Sequence, residues 1–87
     1  MVYSQENITD NKFKRVFSSE VSEKELVWHR DKENRIVEVL EDTDWYFQMD
    51  NVLPIPLKKG VKFQIPKETF HRVIKGSGDL KILIEEY

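Results

Sequence analysis

The feature that most constrains this chain is its rhythm. Val61-Lys62-Phe63-Gln64-Ile65 alternates apolar and polar residues, and Leu80, Ile82 and Ile84 repeat the pattern against Lys81 and Glu85. Period-two alternation marks a strand with one buried face. Runs of the same type lie around Phe13, Val16 and Phe17, at Leu26–His29, at Ile36–Glu41, at Trp45–Asp50 and at Phe70–Lys75. Asp42-Thr43-Asp44, Lys59-Gly60 and Gly76-Ser77-Gly78 break the runs with turn-forming residues. Pro54 and Pro56 mark an irregular or edge segment, because proline cannot donate to a strand ladder. Short strands at this spacing predict an all-β sandwich or small barrel. One segment competes. Ser22-Glu23-Lys24-Glu25 has the form of a capping box, but the apolar stripe a helix would need is missing at His29, Arg30, Glu33 and Asn34. A turn leading into a strand is expected there.

The chain has 87 residues and bounds a single domain, residues 1–87, with an N-terminal arm over about 1–11. A domain this small buries only about 60–65% of its unfolded surface, so a homodimer is expected. The net charge of −2 argues against a nucleic-acid partner. Lys12, Lys14 and Arg15 form a basic cluster read as a solvated strand face. With no cysteine, disulfides, thiolate metal sites and cysteine nucleophiles are excluded. No apolar run approaches the roughly 20 residues that cross a bilayer, and the N-terminus lacks a signal pattern. A cytoplasmic protein with no membrane partner is expected. Asn7-Ile8-Thr9 fits a glycosylation triplet, which carries little weight without a secretion signal.

The two histidines carry the chemistry. His29 ends one expected strand and His71 begins another. In an antiparallel barrel, two such residues can face each other across the mouth, with the wall fixing their direction. Gly60, Pro66 and His71 fit the second motif of the cupin superfamily, and the run from His29 to Gly60 is similar to the first motif and the stretch beyond it. The resemblance covers roughly residues 25–85. It implies a small double-stranded β-helix, or jelly-roll, barrel. The overall pattern also resembles small cupin-like proteins encoded by tailed phages of marine bacteria. In many cupins two histidines and a glutamate of the first motif and one histidine of the second hold a divalent metal.

Carried over by residue, His29 falls on the first histidine of the first motif, Asp31 on the second, Arg35 on or beside the glutamate, and His71 on the histidine of the second motif. The departures are substantial. Glu23 and Asp42 stand where the first motif has flanking glycines, Glu68 replaces the second glycine of the second motif, and Lys75 replaces its terminal asparagine. His29, Asp31 and His71 would together make a facial triad for one divalent ion: iron, manganese, nickel or zinc. Such a set is also how other double-stranded β-helix oxygenases arrange their ligands. Arg35 opposes this, because an arginine is always charged and repels a cation. It would pair with Asp31 or hold an anionic group of a ligand. Three arrangements stay open: a metal on the triad, a metal-free mouth with an Asp31–Arg35 pair, and histidines that only satisfy local hydrogen bonds.

Other residues read more plainly. Trp45, Phe47 and Met49 share a face and are expected in the core, with Tyr46 and Gln48 on the outer face. Trp28 should point opposite to His29, into a dimer contact or beneath the N-terminal segment. Arg72 should point away from His71. Glu68 is read as a solvated turn residue, and Glu85 and Glu86 as a solvated end. No nucleophile elbow and no glycine-rich phosphate loop is present. The expected function is a small-molecule-binding barrel with its site in the mouth. A non-catalytic structural or regulatory module is the alternative.

Overall fold

The computed structural model describes residues 2–87. Eight strands run along it in order: β1 (Ser4–Thr9), β2 (Lys12–Phe17), β3 (Arg35–Val39), β4 (Tyr46–Met49), β5 (Ile55–Pro56), β6 (Lys62–Ile65), β7 (His71–Ile74) and β8 (Leu80–Glu86). They form a five-stranded sheet, β1-β2-β8-β3-β6, and a three-stranded sheet, β5-β4-β7. Every named pairing is antiparallel. The fold is all-β, as the alternation requires.

β8 organises the larger sheet because it is alternating and central. Its inward residues Leu80, Ile82 and Ile84 lie opposite Phe17, Arg15 and Phe13 of β2. On its other side Ile82 and Ile84 lie opposite Val39 and Val37 of β3. Trp45 and Phe47 bring the second sheet onto this face. Phe17 meets Trp45 at 5.8 Å between ring centroids, and Phe47 meets Phe63 at 4.5 Å. Tilted rings at these separations add to the area they bury. Trp45 is fully buried, and its indole Nε1 donates to the carbonyl of Gly78. The expected core face of Trp45, Phe47 and Met49 holds, with Met49 at its half-buried end.

Three local expectations are corrected. Residues 26–29 are not a strand. Glu23–Glu25 form one 3-10 turn, capped by the Ser22 hydroxyl accepting from Lys24 N, and the chain beyond it is extended but pairs only where His29 bridges to His71. The capping residues were strong enough for one turn, and without an apolar stripe nothing extends it. The expected N-terminal arm is the strand β1, added to β2 although all six of its residues are exposed. Its backbone ladder holds it, so no alternation was there to read. Third, Lys12, Lys14 and Arg15 do not share a face: Arg15 stands between the inward Phe13 and Phe17. No helix among the described residues is long and apolar enough to cross a membrane.

The turn before β8 is locked by one carboxylate. Asp44 Oδ1 accepts from Ser77 N at 2.8 Å, and Asp44 Oδ2 accepts from the Ser77 hydroxyl at 2.7 Å. These bonds hold the Asp44 carboxyl below the usual carboxylate range, the hydroxyl contributing most. Gly76 is what lets the strands approach. A Cβ there would overlap Asp44 Oδ1 and lie 2.7 Å from the Asp44 carbonyl carbon. Gly76→Ala should therefore destabilise the fold by about 2 kcal/mol, within the range of overpacking substitutions, read as a lower urea midpoint with an unchanged slope.

Candidate metal and ligand site

The mouth segment is stitched to β7 by backbone rather than by a strand ladder. His29 N donates to the His71 carbonyl at 3.0 Å, and His71 N donates to the His29 carbonyl at 2.8 Å. This reciprocal pair sets the two imidazoles edge to face, 4.3 Å between centroids. Two residues on, the Asp31 carbonyl accepts from Glu68 N at 2.7 Å. Glu68 adopts φ 62°, the left-handed conformation that favours glycine. The turn thus keeps a glycine's backbone shape at a position where this chain has glutamate. The Glu68 side chain is exposed and meets Arg30 at 3.3 Å, so its reading as a solvated turn residue holds.

The structure brings His29, Asp31, Arg35 and His71 together. One ligating atom from each of His29, Asp31 and His71 lies within 4.8 Å of the others. Alternation along one strand does not bring them together. The segment carrying His29 and Asp31 is irregular, and the bridge to His71 aligns it instead. Arg35, on β3, is buried. Its Nε and Nη2 donate to Glu86 Oε2 at 3.0 and 2.8 Å, and its Nη1 lies 3.1 Å from Asp31 Oδ2. Glu86 lies opposite Arg35 in the β3–β8 register. It is therefore not a solvated end: the alternation of Leu80, Ile82 and Ile84 continues inward to it, and that continuation was the readable signal.

Each imidazole is oriented in the same way. His29 Nδ1 lies 3.0 Å from the Val27 carbonyl, and His71 Nδ1 lies 2.8 Å from the Thr69 carbonyl. A carbonyl only accepts, so both Nδ1 atoms carry the proton and both Nε2 atoms present a lone pair when the ring is neutral. Burial pushes the His71 pKa down and the Thr69 bond only partly offsets this, with His29 nearby adding to the depression. A neutral His71 therefore points a lone pair at Asp31 Oδ2, 3.2 Å away. That oxygen is buried and, apart from the ion-pair approach of Arg35 Nη1, lacks any hydrogen bond of acceptable geometry. Two electron-rich atoms face each other with no proton between them. Carboxylate and imidazole lone pairs of this kind suit a divalent cation, and donation of both Nδ1 protons to carbonyls is the support that ligating histidines need. Arg35 is the opposing charge in direct contact with the group, and Glu86 offsets it.

Behind the mouth lies a cavity of about 410 Å³ between the sheets. Phe47, Phe63, Val73 and Ile82 contribute apolar wall, and Tyr3, Arg15, Asp31, Arg35 and both histidines the polar part. Tyr3 and Arg15 escaped the sequence reading. The Phe13-x-Arg15-x-Phe17 spacing was the available signal for Arg15, and Tyr3 precedes a strand with no pattern of its own.

No family model matches the chain, and no curated protein matches its sequence. Its solved-structure neighbours agree on the architecture. A cupin-2 domain protein from Shewanella frigidimarina superposes at TM-score 0.70 with 20% identity, covering 100% of this chain and 83% of that one. DMSP lyase DddQ from Ruegeria pomeroyi superposes at 0.77 with 14% identity, covering 97% and 46%. A chain from the DMSP lyase structures of RdDddP and RnDddQII superposes at 0.74 with 13% identity, covering 86% and 36%. The chain has the cupin fold. It spans less than half the length of the two lyases, and at these identities the likeness concerns the jelly-roll barrel.

The His71 geometry has a pH consequence. A histidine whose folded pKa lies below its unfolded value of about 6.5 destabilises the folded state in acid. Stability of the metal-free protein should be level above pH 6.5 and fall as the pH drops from there towards the depressed folded value. His71→Asn, which retains a donor towards the Thr69 carbonyl, should flatten that part of the curve. Chemical denaturation between pH 5 and 8 reads both.

Proposed function

We propose that this protein is a small-molecule-binding cupin that holds one divalent metal ion through His29, Asp31 and His71. The observation that carries the reading is the buried Asp31 Oδ2, approached by Arg35 Nη1 but without a well-formed hydrogen bond, facing the His71 Nε2 lone pair at 3.2 Å. Two imidazoles and one carboxylate suit iron, manganese, nickel or zinc. When bound, such an ion would act as a Lewis acid towards an oxygen of the ligand. The protein's own groups do the rest. The Val27 and Thr69 carbonyls hold the imidazoles in one tautomer, and Arg35 holds Asp31 in place while Glu86 neutralises Arg35. The apolar wall takes the body of the ligand and excludes water. Arg35 reaches the ligand through Asp31, since its own donors are engaged.

A second reading has one observation of its own, the 3.1 Å approach of Arg35 Nη1 to Asp31. In it the mouth is a metal-free ion-pair network and the barrel is a non-catalytic interaction module. Metal content separates the two. Untagged protein purified without chelator should carry close to one equivalent of a divalent metal by plasma mass spectrometry. The His29→Ala/His71→Ala double variant should carry only background. No metal in either protein after reconstitution would favour the second reading.

We also propose that the barrel pairs with a second copy of itself through the outer side of the three-stranded sheet. Trp28, Tyr46 and Phe70 are each more than 40% exposed there, and Leu53 is 83% exposed. Arg72 stacks on Trp28 at 4.7 Å and bonds Gln48 on that same side. Light scattering should give a dimer mass that falls to the monomer in Trp28→Glu. A wild-type monomer at micromolar concentration would refute the pairing.

A further inference from the structure

Among the described residues, Arg15 is an inward-facing arginine with no carboxylate in direct contact. It lies on β2 opposite Ile82 and lines the cavity. Its Nε donates to Gln5 at 2.9 Å, and its guanidinium carbon stands 4.0 Å over the Tyr3 ring and 5.0 Å from the Phe13 ring. Gln5 and the two rings fix the direction of the fork without supplying a negative charge. Among the described residues no carboxylate pairs with Arg15 and no acceptor bonds its Nη atoms. The two acids that could have done so, Asp31 and Glu86, are both taken by Arg35. Burial lowers the Arg15 pKa, the largest influence on it, yet a guanidinium stays charged at neutral pH. A half-buried cation with two free, parallel donors is costly unless something completes it.

We propose that Arg15 is the anion anchor of the cavity, and that the ligand is a small monocarboxylate with an apolar body. A single free guanidinium matches a single carboxylate by a two-point contact. The apolar part of the wall, with Phe47, Phe63, Val73 and Ile82, suits an uncharged body, and the rest of the polar part is already occupied by the His29–Asp31–His71 group and the Arg35–Glu86 pair. A cavity of about 410 Å³ admits a ligand of modest size. This inference rests on reading the cavity as a ligand site, and not on the metal.

Benzoate and butyrate are suitable probes, each set against its neutral amide and titrated by calorimetry into metal-reconstituted protein of measured metal content. The wild type should prefer each carboxylate to its amide, and Arg15→Gln should lose about tenfold or more in carboxylate affinity with amide binding unchanged. Arg15→Lys should recover part of the loss. Arg15→Met should abolish the preference and raise the melting temperature, because it replaces an unpaired charge with an apolar side chain. A structural arginine would lower that temperature instead. Carboxylate binding that is absent, or unaltered in Arg15→Gln, overturns the proposal. Arg15-dependent carboxylate binding by protein that takes up no metal supports it while refuting the metal reading.

Discussion

The ion pair between Arg35 and Glu86 is the interaction on which the mouth depends. Both side chains point inward, from neighbouring strands and in direct register. Alone, either charge would be expensive in an apolar barrel; together they satisfy most of each other's needs. Arg35 has enough donors left to approach Asp31, and Asp31 in turn faces His71. The position of the carboxylate beside the histidines thus rests on a contact made at the far end of the chain, at the last residue of β8.

Asp31 therefore sits between two demands. The arginine side draws it towards an ordinary ion pair, while the imidazole side leaves its Oδ2 opposite a lone pair. Glu86 tips the balance by taking two of the three guanidinium nitrogens, Nε and Nη2. The carboxylate keeps its charge close to the histidines, and Arg35 serves as the hinge pin of the network.

Much of the barrel was legible because its strands alternate. Trp45, Phe47, Leu80 and Ile84 go where period two sends them. β1 was not legible, since it buries no side chain and is held mainly by its backbone ladder to β2. His29, Asp31 and His71 were legible as a group through the resemblance of Gly60, Pro66 and His71 to a known motif. Their alignment was not, because it comes from two backbone hydrogen bonds across 42 positions of chain, from His29 to His71. Arg15 and Glu86 were readable in principle. Each continues the inward beat of its strand, but a charged residue next to other charged residues has the look of surface.

The composition of β1 has a bearing on how the protein behaves at high concentration. This strand forms one margin of the larger sheet, where unpaired amides and carbonyls invite another chain to add on. Its residues, Ser4-Gln5-Glu6-Asn7-Ile8-Thr9, are polar except for Ile8, and every one is exposed. An incoming strand would find no apolar partner for its side chains and would meet the Glu6 carboxylate. The bulge between Asn7 and Thr9 also breaks the ladder that would template it. Sheet-to-sheet polymerisation along this margin is disfavoured at the level of single residues. A barrel of this size can carry an open edge and still remain dispersed.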